Sequence, residues 1–254
     1  MFSNKVFTLT FGCQSENHIG MQKNGIISEN GFNIKQLKHI QNLFEKKDYT
    51  CKLYNLHDEI QNLNLDDYKA HILVIKNGVK LFSEPDNIFN TLNNLKWDKK
   101  YFDLRRQKVL NKLARYNLCF SNFNQEPDYE NKKGTIYNIS DFDCLYKLNN
   151  GLKTFGEEFN NLECEGNYYF DIKKCGIGYH GDAERKKVIG CRFGESLDLN
   201  YWWYYQYKRL NNKITIPLDH GDIYIMDEKA SGFDWKSKNK FTLRHATGCY
   251  KYIK

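Results

Sequence analysis

The second half of the chain is a series of short apolar segments separated by turn residues, and this pattern limits the folds open to it. From Gly166 onward, the segments that read as strands are 168–170, 188–193, 197–207, 213–218, 222–226 and 241–245. Turn residues recur between them at short intervals, as in antiparallel all-β proteins. The pattern predicts an antiparallel barrel or jelly roll.

The first third alternates strands and helices instead. Strands are predicted over 6–11, 51–56 and 71–75, and helices over 33–47 and 86–95. Asn33 and Gln36 have the spacing of a capping box at the start of the first helix. We therefore expect a small α/β layer, with a domain boundary near 96–101.

The segment between these two halves is more polar. It predicts a helix over 102–114, a strand over 115–120, a loop over 122–134 and a second helix over 142–159. The helix predicted over 102–114 carries Arg105, Arg106, Lys108 and Lys112, which form either a phosphate-facing surface or a solvated face. The solvated face is the more common arrangement.

Composition excludes several classes of protein. The 254 residues are 41% hydrophobic with 3 prolines, which fits a folded core, and no apolar run is long enough to cross a membrane. The 8 cysteines form no C-x-x-C pair, so we expect free thiols in a reducing compartment, the cytoplasm or the nucleus. The net charge of +7 permits a polyanionic partner without requiring one.

Three residues of the strand-rich half have the composition of a metal site. His180 and Asp182 are two residues apart, so on a strand their side chains share a face, and His245 lies on the last predicted strand. Two imidazoles and one carboxylate suit Fe(II) with open coordination positions. His220, in the turn His220-Gly221-Asp222, is a competing ligand, and a β-sandwich with scattered histidines is the alternative without a metal.

Several ordered motifs around these residues resemble the AlkB-like family of 2-oxoglutarate and Fe(II)-dependent oxygenases. They are Asn167-x-Tyr169, His180-x-Asp182-x-Glu184-Arg185, Val188-Ile189-x-x-Arg192-Phe193-Gly194, the segment 218–226 and His245. The resemblance covers about 110–248. It implies a double-stranded β-helix (jelly-roll) core with flanking helices in an α+β protein, with His180, Asp182 and His245 as iron ligands.

The resemblance also implies which residues bind 2-oxoglutarate. Asn167 and Tyr169 match family positions that hydrogen-bond it. The family usually places an R-x-N-x-x-x-R strand after the distal histidine, whereas the nine residues after His245 contain no arginine. The cation for the far carboxylate is therefore sought among Arg192, Arg244, Lys251 and Lys254, or further upstream.

The segment that begins at Arg115 has two interpretations. Arg115-x-Asn117 with the loop 122–134 resembles the family's lid over the target base, and it also resembles the missing R-x-N strand of a permuted barrel. We favour the lid because it needs no rearrangement. Arg115, Asn117, Glu184 and Arg185 are then the expected substrate-binding residues.

Three functions follow from these patterns. The first is oxidation, by demethylation or hydroxylation, of a modified nucleic-acid base by an AlkB-like domain over 99–254, with an N-terminal α/β region over 1–98. The second is 2-oxoglutarate-dependent hydroxylation of a protein side chain or a small molecule. The third is a non-catalytic nucleic-acid-binding β-barrel. Glu16-Asn17-His18 is an unusual motif that either lines a substrate pocket or has a capping or core role, and the latter is favoured.

Overall fold

The computed structural model describes residues 2–57, 68–210 and 213–254. Within these ranges the protein is mixed α+β and mostly sheet, as the sequence predicted at this level. The strands are β1 Val6–Gly12, β2 Gln14–Glu16, β3 Lys23–Gly25, β4 Cys51–Asn55, β5 His71–Ile75, β6 Lys100–Asp103, β7 Lys108–Asn111, β8 Tyr116–Ser121, β9 Ile136–Asn138, β10 Glu163–Tyr169, β11 Gly176–His180, β12 Val188–Gly194, β13 Leu199–Tyr205, β14 Lys208–Arg209, β15 Ile214–Ile216, β16 Ile223–Met226 and β17 Thr242–Gly248. The helices are α1 Ile34–Glu45, α2 Pro85–Asn94, α3 Asp143–Lys153, α4 Glu228–Ser231 and α5 Tyr250–Ile253.

The larger sheet has eight strands in the order β4-β5-β16-β12-β1-β10-β8-β9. Neighbouring strands are antiparallel except β8 and β9, which are parallel. The N-terminal strand β1 lies in the interior of this sheet, between β10 and β12. Its alternating sequence explains this position, because Phe7, Leu9 and Phe11 share one face and Thr8 and Thr10 the other.

The smaller sheet holds β11, β17, β13 and β14 in that order, with β15 also paired to β13. It carries the histidines of the predicted metal site, since β11 ends at His180 and β17 contains His245.

Two apolar cores surround the larger sheet. On one face, helices α1, α2 and α3 pack against Phe7, Leu9 and Phe11. The Asn33 capping box predicted at the start of α1 is present, with Asn33 Oδ1 accepting from the backbone N–H of Gln36 at 3.1 Å. The second core lies between the two sheets and includes Val74, Val188, Trp203 and Leu243. This arrangement leaves the Thr8 and Thr10 face of β1 directed between the sheets, where the candidate site lies.

The prediction of a helix over 102–114 is wrong. This segment forms a β-hairpin of β6 and β7, and Gln107 in its turn has a φ of 50°. The helix predicted over 142–159 is shorter than expected, since α3 ends at Lys153. Apolar residues two apart, such as Phe102 and Leu104, fit a strand as well as a helix over so short a run.

The expected boundary between 98 and 99 does not separate two sheets. Strands β1, β4 and β5 from the N-terminal region pair directly with β10, β12 and β16 from the C-terminal region. All eight cysteines are free thiols. Among the described residues, no helix has the length and apolar character needed to span a membrane.

Candidate metal centre

His180 and His245 meet because their strands pair. In the antiparallel ladder of β11 and β17 the two residues are direct cross-strand partners, and their ring centroids are 4.6 Å apart. The register shifts between Ile177 and His180, so this end of β11 is irregular. The pairing brings two imidazoles to one edge of the smaller sheet.

Asp182 reaches the same point from the turn that follows β11. Its Oδ1 atom lies 3.7 Å from Nε2 of His180 and 3.7 Å from Nε2 of His245. The turn is held by the backbone N–H of Asp182, which donates to the carbonyl of Ser231 at 2.9 Å. One ligand atom from each of the three residues lies within 4.8 Å of the other two, which is compatible with a single bound cation.

Gly181 permits this close approach. A Cβ atom at position 181 would lie 2.0 Å from the carbonyl oxygen of Gly232, so only glycine fits without moving the backbone. Gly232 itself has a φ of 71°, in the left-handed region that favours glycine. Contact between these two glycines therefore fixes the loop that carries Asp182.

The protonation states of His180 and Asp182 suit metal binding. Burial and the neighbouring His245 lower the pKa of His180 to about 3, so its imidazole is neutral at neutral pH. Nδ1 of His180 lies 2.8 Å from the carbonyl of Gly178, which leaves Nε2 for a ligand. Burial would raise the pKa of Asp182, but Arg185 and the two imidazoles hold it below its usual range, so the carboxylate is ionised.

The trio lines a cavity of about 370 Å³ between the two sheets. Its floor and walls come from inward-facing residues of β1, β10, β12 and β16 and from the loop around Trp235. The polar lining residues that matter below are Thr8, Glu16, His18, Arg115, Glu165, Asn167, Tyr169, Glu184, Arg185, Arg192 and Lys236.

Arg192 and Thr8 form a polar pair in this cavity. They are cross-strand partners on β12 and β1, and Arg192 is 1% exposed. Among the described residues, Nε and Nη1 of Arg192 and Oγ1 of Thr8 have no hydrogen-bond partner. Because a buried guanidinium without an acceptor is costly, the pair is suited to binding an anionic group.

A hydrogen-bond network continues the same wall, because Asn167 on β10 is the cross-strand partner of Thr8 on its other side. Oδ1 of Asn167 accepts from Nε of Arg115 at 2.6 Å and from Nδ2 of Asn117 at 2.8 Å. Nδ2 of Asn167 donates to Glu165 at 3.0 Å, and Nη2 of Arg185 donates to Glu165 at 2.5 Å. Asn167 therefore lies in the cavity wall, with most of its amide already bonded to neighbours.

The network continues to a buried lysine. Nζ of Lys112 donates to Oδ1 of Asn117 at 2.9 Å, and to the carbonyl and Oδ1 of Asn17 at 3.0 and 2.7 Å. Burial lowers the pKa of Lys112 to about 7. The lysine thus ties the segment that carries Glu16 and His18 to the strand that carries Asn117.

The predicted substrate-binding residues fall in one region. Arg115, Glu184 and Arg185 line the cavity, whereas Asn117 is buried behind it in the network around Asn167. Nη2 of Arg185 also donates to Glu184 at 2.6 Å, so these two residues form a salt bridge inside the cavity wall.

Four other candidates lie elsewhere. His220 accepts from the backbone N–H of Gly194 at 3.0 Å and lies 3.3 Å from Asp86, outside the cavity lining. Arg244 precedes His245 on β17, so its side chain faces away from the metal site and stacks on Tyr204 at 4.0 Å. Lys251 and Lys254 lie in or directly after α5 and are exposed. Arg244, Lys251 and Lys254 therefore do not line the cavity, and we do not expect them to bind the co-substrate. Of the four cations considered for its far carboxylate, Arg192 is the one that lines the cavity.

Some cavity residues were not predicted as such. Thr8 and Glu165 carried a usable signal, because each alternates with apolar residues along its strand. His18, for which a capping or core role was favoured, lines the cavity, and its ring also packs on Tyr101. Trp235 and Lys236 come from an irregular loop, and no periodic pattern marks them.

A viral protein is similar to this chain along nearly its whole length. The chain matches no established protein-family profile. An uncharacterized protein of Acanthamoeba polyphaga mimivirus is 45% identical to it over 251 residues, which is 98% of each chain. With that identity along nearly its whole length, the chain belongs to the same family as the mimivirus protein.

Proposed function

We propose that the protein is an Fe(II)- and 2-oxoglutarate-dependent dioxygenase that oxidises a modified nucleic-acid base. The observation that carries the proposal is the meeting of His180, Asp182 and His245 in a cavity that also holds the unpaired Arg192 guanidinium. Two imidazoles and one carboxylate with open positions are the ligand set of non-haem iron oxygenases.

The residues fit the iron ion. Both histidines lie on paired strands and Asp182 is held by backbone contacts, so the three ligands need little rearrangement to bind a cation. His180 is neutral and Asp182 is ionised at neutral pH, as metal ligation requires. Iron together with 2-oxoglutarate would supply activated oxygen for insertion into a C–H bond of the substrate.

The residues also fit a dicarboxylate co-substrate. Arg192 and Thr8 offer three buried polar atoms without partners, which can bind the far carboxylate of 2-oxoglutarate. Tyr169 and the free N–H of Asn167 lie in the same lining. The protein's contribution is to orient the co-substrate, to hold it beside the three ligands and to exclude water from the cavity.

A double-stranded β-helix is part of the same proposal. The resemblance expects a strand after the distal histidine, whereas the helix α5 follows β17 here. We infer that β1 fills that position, because it lies between β10 and β12 and faces the cavity with Thr8 and Thr10. We therefore assign to β1 the role of the missing strand, which the sequence had suggested for the segment beginning at Arg115. That segment forms β8, which pairs with β10 on the side away from β1.

Anaerobic titration with Fe(II) and 2-oxoglutarate tests the proposal. We expect a weak visible charge-transfer band in the native protein that is absent in His180→Ala. Succinate release should rise with methylated oligonucleotides and stay at its basal rate with methylated peptides. A protein that gives neither band nor succinate would refute the oxygenase assignment, and stimulation by peptides alone would refute the nucleic-acid substrate.

A further inference from the structure

The hairpin of β6 and β7 concentrates the positive charge of the protein. Residues 99–111, named here the basic hairpin, contain Lys99, Lys100, Arg105, Arg106 and Lys108 against a single acidic residue, Asp103. This net charge of +4 in 13 residues compares with +7 for the whole chain. All five cations are exposed, and Asp103 pairs with Arg106 at 3.2 Å. Mutual repulsion among the remaining cations makes the surface suited to an anionic partner.

The basic hairpin lies at the mouth of the cavity. The ring of His18, which lines the cavity, stacks on Tyr101 of β6 with a centroid distance of 3.8 Å and an interplanar angle of 22°. Leu104 packs directly over Gly20, where a Cβ atom would meet its Cδ1 at 2.3 Å. The cations are therefore part of the entrance and not of a remote surface.

Apolar side chains are exposed at the same entrance. Ile19 is 72% exposed and lines the cavity, and Leu104 in the hairpin turn is 45% exposed. Exposed apolar groups beside cations suit a partner that combines charged groups with flat apolar rings.

Inside the mouth the charges are of both signs. Glu16, Glu165 and Glu184 line the cavity, with Arg185 paired to the last two. Arg115, Arg192 and Lys236 line it as well, so the net positive charge is on the basic hairpin outside. Anionic groups bound at the hairpin, next to exposed apolar side chains that suit flat rings, describe a nucleic-acid strand better than an acidic protein.

We propose that the basic hairpin binds the phosphate backbone of a single-stranded nucleic acid while one of its bases enters the cavity beside Glu16 and His18. The cavity lies between two sheets, so a base must be unpaired to reach it. This inference deepens the function proposed above and rests on it for the reaction, although the binding itself needs neither metal nor co-substrate.

Binding of fluorescein-labelled single-stranded 12-mers, as DNA and as RNA, to the full chain in the presence of a chelator tests the proposal. Fluorescence anisotropy is measured at several salt concentrations for native protein and for Lys100→Gln/Arg105→Gln/Arg106→Gln/Lys108→Gln. The control is Lys35→Gln/Lys38→Gln/Lys46→Gln/Lys47→Gln, which removes the same charge from exposed positions at α1, behind the large sheet. Thermal melting confirms that both variants fold.

We expect the hairpin variant to bind the single strand at least about ten-fold more weakly than native protein. The slope of log affinity against log salt concentration should become shallower by up to about 2.8, because four contacts to phosphates of a single strand are lost. The control should stay within about two-fold of native protein, because its charges lie on the other face of the sheet. Preference for DNA or for RNA identifies the source of the strand, and either supports the proposal.

Three results would overturn it: no binding by native protein, equal weakening in both variants, or displacement of the strand by polyglutamate at the same charge concentration. The proposed reaction fails separately. His180→Ala keeps the basic hairpin and should still bind the single strand. If native protein binds the single strand but binds no iron, the proposed oxygenase activity is refuted and the proposed strand binding is not.

Discussion

Thr8 and Arg192 face each other across the paired strands β1 and β12, both line the cavity, and both have buried polar atoms without a hydrogen-bond partner among the described residues. The two residues come from different halves of the sequence, so this part of the cavity wall requires both. The pair allows the proposed co-substrate binding to be tested separately from the proposed metal binding, because neither residue belongs to the His180, Asp182 and His245 trio.

Replacing Arg192 should remove 2-oxoglutarate binding and leave metal binding intact. In Arg192→Met the buried cation is lost at similar length, and we expect 2-oxoglutarate affinity to fall at least about ten-fold, since a charge-assisted hydrogen bond contributes about 1.5–3 kcal/mol. Isothermal titration with metal-loaded protein measures it. Arg244→Met is the control, because Arg244 lies outside the cavity. Equal loss in both variants would exclude Arg192 as the anchor.

Replacing either histidine should abolish tight metal binding. His180→Ala and His245→Ala each remove one of the three proposed ligands. We expect the affinity for Fe(II) to fall more than about 100-fold, because loss of a direct ligand costs more than loss of a residue that only hydrogen-bonds a ligand. Anaerobic competition with a chromogenic chelator measures this affinity. His39→Ala, an exposed histidine on α1, should bind as native protein does. His220→Ala should also retain binding. Loss of binding in His220→Ala with retention in His245→Ala would reverse the ligand assignment.

Adding a methyl group at Gly181 should damage the fold and the site together. The new Cβ would meet the backbone of Gly232, so Gly181→Ala is expected to lower the free energy of unfolding by about 1–3 kcal/mol and to weaken metal binding. Gly178→Ala is the matched control three residues earlier, on β11, where the nearest atom to a new Cβ is 3.9 Å away. Urea unfolding and metal titration of both variants check this. Equal stability of the two variants would contradict the tight contact.

Lys112 should make stability depend on pH in the alkaline range. Burial lowers its pKa to about 7 in the folded protein, whereas the unfolded chain keeps the ordinary value of 10.5. Between these values the unfolded state holds more protons, so stability should rise with pH by up to about 1.4 kcal/mol per unit. Urea unfolding from pH 7 to 10 should show this contribution in native protein and in Lys108→Met, and its loss in Lys112→Met. An unchanged slope in Lys112→Met would refute it.

The family resemblance, and not strand parity, predicted the distal histidine of the site. His245 was preferred to His220 as the distal ligand, and the structure brings His245 and not His220 to the other two ligands. Strand parity would have excluded Arg244, because adjacent residues on a strand face opposite sides. That test needed β17 to be regular through position 244, which the sequence alone did not establish.

Two features depended on long-range pairing and could not be predicted. The strand β1 was recognised, but its neighbours β10 and β12 are set by sheet order, which local patterns do not encode. The segment 102–114 was predicted to be a helix that carries Arg105, Arg106, Lys108 and Lys112. Its hairpin is instead fixed by pairing of Lys100–Asp103 with Lys108–Asn111 and by packing of Tyr101 on His18.

The interior position of β1 has a consequence for synthesis. Residues 6–12 are translated well before their hydrogen-bonding partners at 163–169 and 188–194. This strand must therefore wait, unpaired, until both partner segments have emerged, and the cavity wall that the three strands form cannot close before then. A nascent chain stalled before residue 163 would have neither of the ladders that hold its N-terminal strand.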